Sequence, residues 1–489
     1  MTTELPEQGT GPSLFGRGMI YVLVWSMQLL AATVVSPIVA HALSMEEFGR
    51  VAAALALYQL LVLISVFGID QALEIRRVED AGDDRPARGL LTTGVVFAFA
   101  LAGILALTAR WWAPVLGFDR DLTLVLVALA WVAPGSSVLL VLGILQAEDR
   151  LRRFATVSFV STVGSQLCGL LLIFLVRRDA TTYVAGGVIG QSLALLGGLL
   201  WVGPRLQGAF DPHVTRQALR LGLPLVLTSL AEYILTTADR LVVQRWFGSA
   251  QVAQYQVGFV VGNAVTLMLI FTNRAWLPRL KAITDPEVRW QLIASSRDGV
   301  YWLLGWALLG VTVAAPGLLR VWVPDTYDRP ALTRIIFVVG LCAIPVAAMG
   351  ASQRMLVTMR WSRPLAASAV VAVVAKLIAL AVLLATVGLL GAAISTLVAL
   401  AVQAIYLRRA VVRRHPAIPS QPSCLVFLGV SAVLAAASLT LPVTTTWDVV
   451  RVAFAMLCLV PFAAALRRLQ RAEPPVSVTA ARTATDRPV

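Results

Sequence analysis

Apolar stretches about as long as a bilayer core recur down this 489-residue chain, and no fold is open to it that does not span a membrane with helices. A hydrocarbon core near 30 Å takes about 20 helical residues, and a backbone inside it must satisfy its own hydrogen bonds. Spans are predicted at 18–40, 50–69, 90–109, 122–145, 155–176 and 182–202, then at 221–246, 252–272, 299–322, 333–357, 364–385 and 388–407. A last pair falls at 423–441 and 448–466, making about fourteen transmembrane helices in an all-α polytopic membrane protein. Charged residues are only 13% of the chain and apolar ones 58%, against about 25% charged in an average soluble domain. Residues 18–40 end near Ala40-His41-Ala42, similar to a signal-peptide cleavage site, but the apolar run is too long for one and is expected to be a retained first helix.

The net charge of +14 does not imply nucleic acid, because the arginines flank the apolar segments and do not form one patch. With the N-terminus placed in the cytoplasm, 28 Lys and Arg fall inside and 11 outside, and Lys376 lies within a span. That bias fits fourteen crossings with both ends inside. Cys168, Cys342, Cys424 and Cys458 lie far apart in apolar segments, and His41, His213 and His415 lie at segment ends, so neither a disulfide framework nor a metal site is expected. The acidic run Glu79-Asp-Ala-Gly-Asp-Asp84 reads as a solvated turn. The connections are short, with the longest outer one near 323–332. They leave no room for the catalytic external loop of a membrane glycosyltransferase or polymerase, and no nucleophile or metal motif is present. No enzyme activity is expected.

A weak internal repeat runs through the first twelve spans. Leu43-Ser-Met-Glu-Glu-Phe-Gly49 and the turn after Phe247-Gly-Ser each join two helices at an offset of about 204 residues. Pro134 and Pro345 each precede an Arg-rich turn at a similar offset. Two six-helix halves in the same orientation follow. The expected organisation is a disordered tail over 1–13, an N-lobe over 14–206, a C-lobe over 207–410, an additional helix pair over 411–469 and a disordered tail over 470–489.

Charges buried in a span cost about 2.5–3.5 kcal/mol each, so they mark function or pairing. The segment 220–247 is expected to be one helix, and it carries Glu232, Asp239 and Arg240. Thr228, Glu232, Thr236 and Asp239 fall on one helical face, as do Asn263, Thr266 and Arg274 in the next span and Arg17, Tyr21 and Gln28 in the first. Under the repeat, Gln28 corresponds to Glu232. Lys376 is mid-span with no acid in its own helix, which leaves it an anionic ligand or a carboxylate such as Glu232 as a partner. Plain ion pairing is the structural alternative for Asp239 and Arg240, and interfacial anchoring for Arg17 and Arg274.

Three stretches resemble the polysaccharide-transporter branch of the multidrug/oligosaccharidyl-lipid/polysaccharide exporter superfamily, the O-antigen (Wzx-like) flippases. They are Leu43 to Gly49, Leu145-Gln-Ala-Glu-Asp-Arg-Leu-Arg-Arg-Phe154, and Arg220-Leu-Gly-Leu-Pro224 through Ala238-Asp239-Arg240-Leu241 with Phe247-Gly248 and Tyr255. Ala253 stands where that family usually has Gly in its Gly-x-Tyr turn. The resemblance implies two lobes in a V around a cavity lined by helices 1, 2, 7 and 8. It also implies translocation of a lipid-linked oligosaccharide, usually carried on undecaprenyl pyrophosphate, across the bacterial cytoplasmic membrane by alternating access. The substrate-contact candidates are then Arg17, Gln28, Glu232, Asp239, Arg240, Asn263, Arg274 and Lys376. The chain is expected to work as a monomer without an organic cofactor, in contact with membrane lipids and polysaccharide-assembly proteins. Coupling to protons, another cation or the membrane potential would pass through Glu232 or Asp239. A multidrug or cation antiporter of the same superfamily, a membrane enzyme and a non-transporting scaffold are the competing readings.

Overall fold

The computed structural model describes residues 33–79, 84–205, 208–282, 286–414, 419–442 and 444–471, and the expected tail over 1–13 and the end of the chain lie outside them. Among the described residues every regular element is helical. Twelve helices are long and apolar enough to cross a membrane, and two apolar helices are shorter, α1 (Thr33–Ala42) and α17 (Pro422–Ser438). These two stand where the first and thirteenth spans were expected, and the part of the first span before Thr33 lies outside the described residues.

By their internal packing the residues form two compact units. One comprises the chain up to Leu230 with Gln244–Ala250, and the other Ala231–Val243 with everything from Gln251 onward. The boundary between these compact units falls inside the seventh predicted span.

In the first unit, α5 (Leu122–Ala147) is apolar on every side and packs on α2 (Met45–Val66), α3 (Ile69–Glu79), α4 (Arg85–Trp112) and α8 (Ala180–Val202). A helix without a polar face belongs at the centre of a bundle. Trp131 of α5 stacks on Tyr58 of α2 at 4.3 Å between ring centroids. The predicted span at 155–176 is α6 (Leu151–Phe159) and α7 (Ser165–Leu175) joined by a π-helical turn over Val160–Gly164. There Ser161 and Thr162 donate to the carbonyl of Ser158 at 3.0 and 2.8 Å, satisfying backbone groups that the widened turn exposes.

Both family-like turns of this unit are ionic brackets. Ser44 caps α2 by accepting the Glu47 N–H at 3.2 Å, and Arg50 pairs with Glu46 and Glu47 at 2.9 Å each and with Asp121 at 3.5 Å. The second Glu47 oxygen accepts the N–H of Ala180 at 2.7 Å, so one turn ties together the starts of α2, α5 and α8. In the other turn the Glu148 carboxylate, only 4% exposed, faces Arg150 at 2.8 Å, Arg77 at 3.2 Å and Arg88 at 3.7 Å. Arg150 and Arg153 also donate to the carbonyl of Trp201 at 3.2 and 3.3 Å, where α8 ends and its carbonyls lack helical partners.

The second predicted span closes on a sharp break. Phe67 and Gly68 both have positive φ (49° and 70°) and separate α2 from α3. At this break a Cβ on Gly68 would lie 2.5 Å from the carbonyl oxygen of Gly222 in α9 (Pro212–Thr236), and one on Gly222 would lie 2.7 Å from the Gly68 backbone. Gly222→Ala is therefore expected to cost about 1–3 kcal/mol through overpacking against main chain that has no side chain to yield. Loss of detergent-solubilised monomer on heating measures it, with Gly103→Ala as the control, since a Cβ there meets open space.

In the second unit, α12 (Pro286–Trp322) packs on α13 (Arg329–Leu341), α14 (Ala343–Thr358), α17 and α18 (Thr445–Arg471). Leu303, Leu304, Leu356, Leu407 and Leu428 are buried in the shared core, and Trp302 stacks on Phe427 at 4.3 Å. The C-terminal helix pair is built into this unit at two points. Asp298 accepts the Gln421 N–H at 3.0 Å at the start of α17, and the buried Asp448 of α18 pairs with Arg320 of α12. An antiparallel hairpin, α15 (Arg363–Val387) and α16 (Leu389–Val412), turns at Gly388, whose φ is 67°.

Candidate functional site

The charges that stood out in the sequence lie where the seventh predicted span breaks. Thr237 and Ala238 leave the helical path, so the segment read as one helix over 220–247 is two, α9 ending at Thr236 and α10 (Asp239–Phe247). The charges suit the break. Asp239 begins α10 at the positive end of its peptide dipoles, and Arg240 turns back onto the carbonyl end of α9. One guanidinium nitrogen of Arg240 donates to the carbonyls of Thr236 and Thr237 at 2.7 and 3.5 Å, and Nε donates to Gln256 Oε1 at 2.7 Å. The guanidinium lies over the Phe259 ring at 4.3 Å. Gln256 and Phe259 belong to α11 (Ser249–Ala282), so Arg240 both completes an interrupted helix and joins it to its neighbour.

Asp239 points into the helix packing and is fully buried. Its carboxylate pairs with Lys376 of α15, whose ammonium is 2.7 Å from Oδ1 and donates to Oδ2 at 2.8 Å. Tyr255 of α11 donates its hydroxyl to Oδ2 at 2.6 Å, and Thr396 of α16 lies 3.2 Å from the same oxygen. Lys376 also donates to Thr396 Oγ1. Four helices thus meet on one carboxylate, with Lys376 likewise at 0% exposure. One turn away Leu235, Ala372 and Ala399 form a small apolar cluster that seals the site. Lys376 pairs with Asp239, and so does not take the Glu232 partner that the sequence allowed.

Glu232 has a different setting. It lies on an exposed face of α9 between Thr228 and Thr236, both exposed, and has no ion pair among the described residues. The two threonine hydroxyls donate to the carbonyls of Pro224 and Glu232 at 3.2 and 2.8 Å, which leaves their oxygens as acceptors. Asp239, expected to continue this stripe, is turned away from it by the break. Asn263 is half-buried on α11. Arg17 and Gln28 lie outside the described residues, and of Arg274 only the backbone course within α11 is described. Tyr255, Gln256, Phe259 and Thr396 were not expected as partners. Tyr255 stood in the family-like turn, and one face of α11 carries 255, 259 and 263, but nothing in the sequence distinguishes Thr396.

Residues 15–284, more than half of the chain, match the family described as polysaccharide biosynthesis protein. The chain belongs to that family. No curated sequence matches it. Among solved structures, this polysaccharide biosynthesis protein is similar to a lipid II flippase, MurJ, in an inward closed conformation. The identity is 11% and the TM-score 0.68, over 93% of this chain and 99% of that one. It is also similar to an inward-facing multidrug resistance transporter of the MATE family, at 14% identity and a TM-score of 0.62 over 80% and 96% of the two chains. A mutant form of a Vibrio cholerae MATE transporter, VcmN, matches at 14% identity and a TM-score of 0.54 over 82% and 98%. The fold is that of the multidrug and lipid-flippase transporters, and its many long apolar helices make this a multi-pass membrane protein.

Proposed function

We propose that this protein moves a lipid-linked oligosaccharide, carried on undecaprenyl pyrophosphate, from the inner to the outer leaflet of the bacterial cytoplasmic membrane. It does so by alternating access, as a step in making a cell-surface polysaccharide such as O-antigen. Both termini face the cytoplasm on this reading. The observation that carries it is the family match, which ties the chain to polysaccharide biosynthesis, together with a fold shared with a lipid II flippase along 93% of its length. The reading is tested by deletion. Lipid-linked oligosaccharide is expected to accumulate on the cytoplasmic face of the membrane, and an unchanged leaflet distribution would count against it.

The multidrug antiporter reading shares the fold. An antiporter exchanging protons or cations needs a carboxylate open to them, and Asp239 is committed to Lys376. Glu232 is the ionisable group of the exposed α9 stripe, and its role here is to contact the sugar head group as a hydrogen-bond acceptor. Glu232→Gln is expected to lower flipping about tenfold, the loss of one charge-assisted hydrogen bond of about 1.5 kcal/mol, with unchanged thermal stability because the side chain is exposed. Flipping of a fluorescent lipid-linked oligosaccharide in proteoliposomes is the measurement. Normal turnover in the variant would remove Glu232 from the path.

A further inference from the structure

The cradle around Lys376 has the composition of a cation site. Its ammonium is held by both oxygens of one carboxylate, at 2.7 and 2.8 Å, and by the hydroxyl oxygen of Thr396. All three are hard oxygen donors, the ligand type that small alkali cations take, and an ammonium group is close to a potassium ion in size and charge. Tyr255 adds a hydroxyl on the carboxylate at 2.6 Å. The surroundings exclude water. Lys376 and Asp239 are both at 0% exposure, and Leu235, Ala372 and Ala399 close the adjoining turn. The carboxylate sits at the first residue of α10, where the helix dipole favours its negative charge, and the carbonyl end of α9 at Thr236 lies just before it. From Arg329 to Trp447 the chain has no Asp or Glu, so α15 and α16 bring Lys376 no acid of their own and its charge is spent entirely on Asp239.

We propose that Lys376 is a tethered cation. Its ammonium permanently fills the position that a free monovalent cation would occupy among Asp239 and Thr396, so this unit gives Asp239 its counter-charge without taking up an inorganic ion. The four-helix junction is therefore set independently of the alkali salt outside. The consequence reaches coupling. Asp239 is removed from the exchangeable groups, whichever head group is moved.

The inference predicts that removing the tether opens the site to free ions. Lys376→Met fills the aliphatic stem and stops one atom short of the ammonium position. The purified full-length variant is expected to gain several degrees of thermal stability when choline chloride is replaced by NaCl or KCl at pH 8, by mass action on the folded state. The wild-type protein and the Asp239→Asn/Lys376→Met double variant are expected to give the same melting temperature in all three salts. A Lys376→Met protein indifferent to alkali cations would overturn the proposal, because the vacated cradle would then not be a cation site. A sodium or potassium response in the wild type that Asp239→Asn abolishes would overturn it equally, since the tether would not be filling the site. If Lys376→Met yields folded protein only when purified in an alkali salt, that counts as the expected response. If it yields none in any salt, the wild-type measurement decides.

Discussion

Asp239→Asn is expected to cost about 3–5 kcal/mol of stability, one of the two largest effects foreseen here, because it leaves the Lys376 ammonium in a dry site without a counter-charge. The asparagine keeps the volume and can still accept from Tyr255, so the loss reports charge and not packing. Lys376→Met leaves the opposite orphan and is expected to fall in the same range in choline. The double variant Asp239→Asn/Lys376→Met buries no net charge and is expected to be much less destabilised than the sum of the singles, since a buried pair can be exchanged for neutral groups at little cost. Survival of monodisperse protein after heating, taken round the full cycle, checks this. Additive singles would mean that the two groups do not meet.

Glu148→Ala is the second. The carboxylate, 4% exposed, faces Arg77 of α3, Arg88 of α4 and Arg150 just before α6. Removing it leaves three guanidinium groups facing one another, and the acid that Arg88 also reaches, Asp84, is shared with Arg205 at 2.9 Å. The expected cost is about 3 kcal/mol, at the low end for a broken buried pair because the arginines retain some contact with solvent. Glu148→Gln is expected to be milder, since the amide oxygen still accepts from one arginine. Thermal survival in low and in about 0.5 M salt separates the effects. Salt is expected to relieve part of the mutual repulsion in Glu148→Ala, and no salt dependence would show that repulsion is not the cause.

The same physics explains what could be read from the chain alone. Helix positions were legible because a bilayer demands long uncharged segments, and most predicted spans coincide with described helices. The places where they did not are those where local pattern is silent. The break after Thr236 falls inside a predicted span and the one after Val66 near the end of another; the first is held by Arg240 reaching back to Thr236, and the second by the approach of Gly68 to Gly222, a contact that no local pattern announces. The family-like turns were visible as residues, but their function as brackets was not. Glu47 meets Ala180, and Glu148 meets Arg77, only once the bundle is assembled.

The candidate site divides in the same way. Hydropathy and the cost of charge in hydrocarbon were enough to single out Glu232, Asp239, Arg240 and Lys376, because each is an exception to an otherwise apolar rule. Whether such an exception faces a ligand or a partner is decided by tertiary structure. Asp239 and Lys376 lie 137 positions apart and are joined only because α10, α11, α15 and α16 converge. Helical periodicity placed Asp239 on the Glu232 face, yet the turn at Thr237 and Ala238 rotates it into the packing. The sequence by itself determined that this is a helical membrane protein with costly charges in its seventh span. Only the folded chain decided which of those charges are spent on one another and which stays exposed. Pairing depends on distances between helices, and one chain's pattern of residues carries the period of each helix but not the neighbour against which it packs.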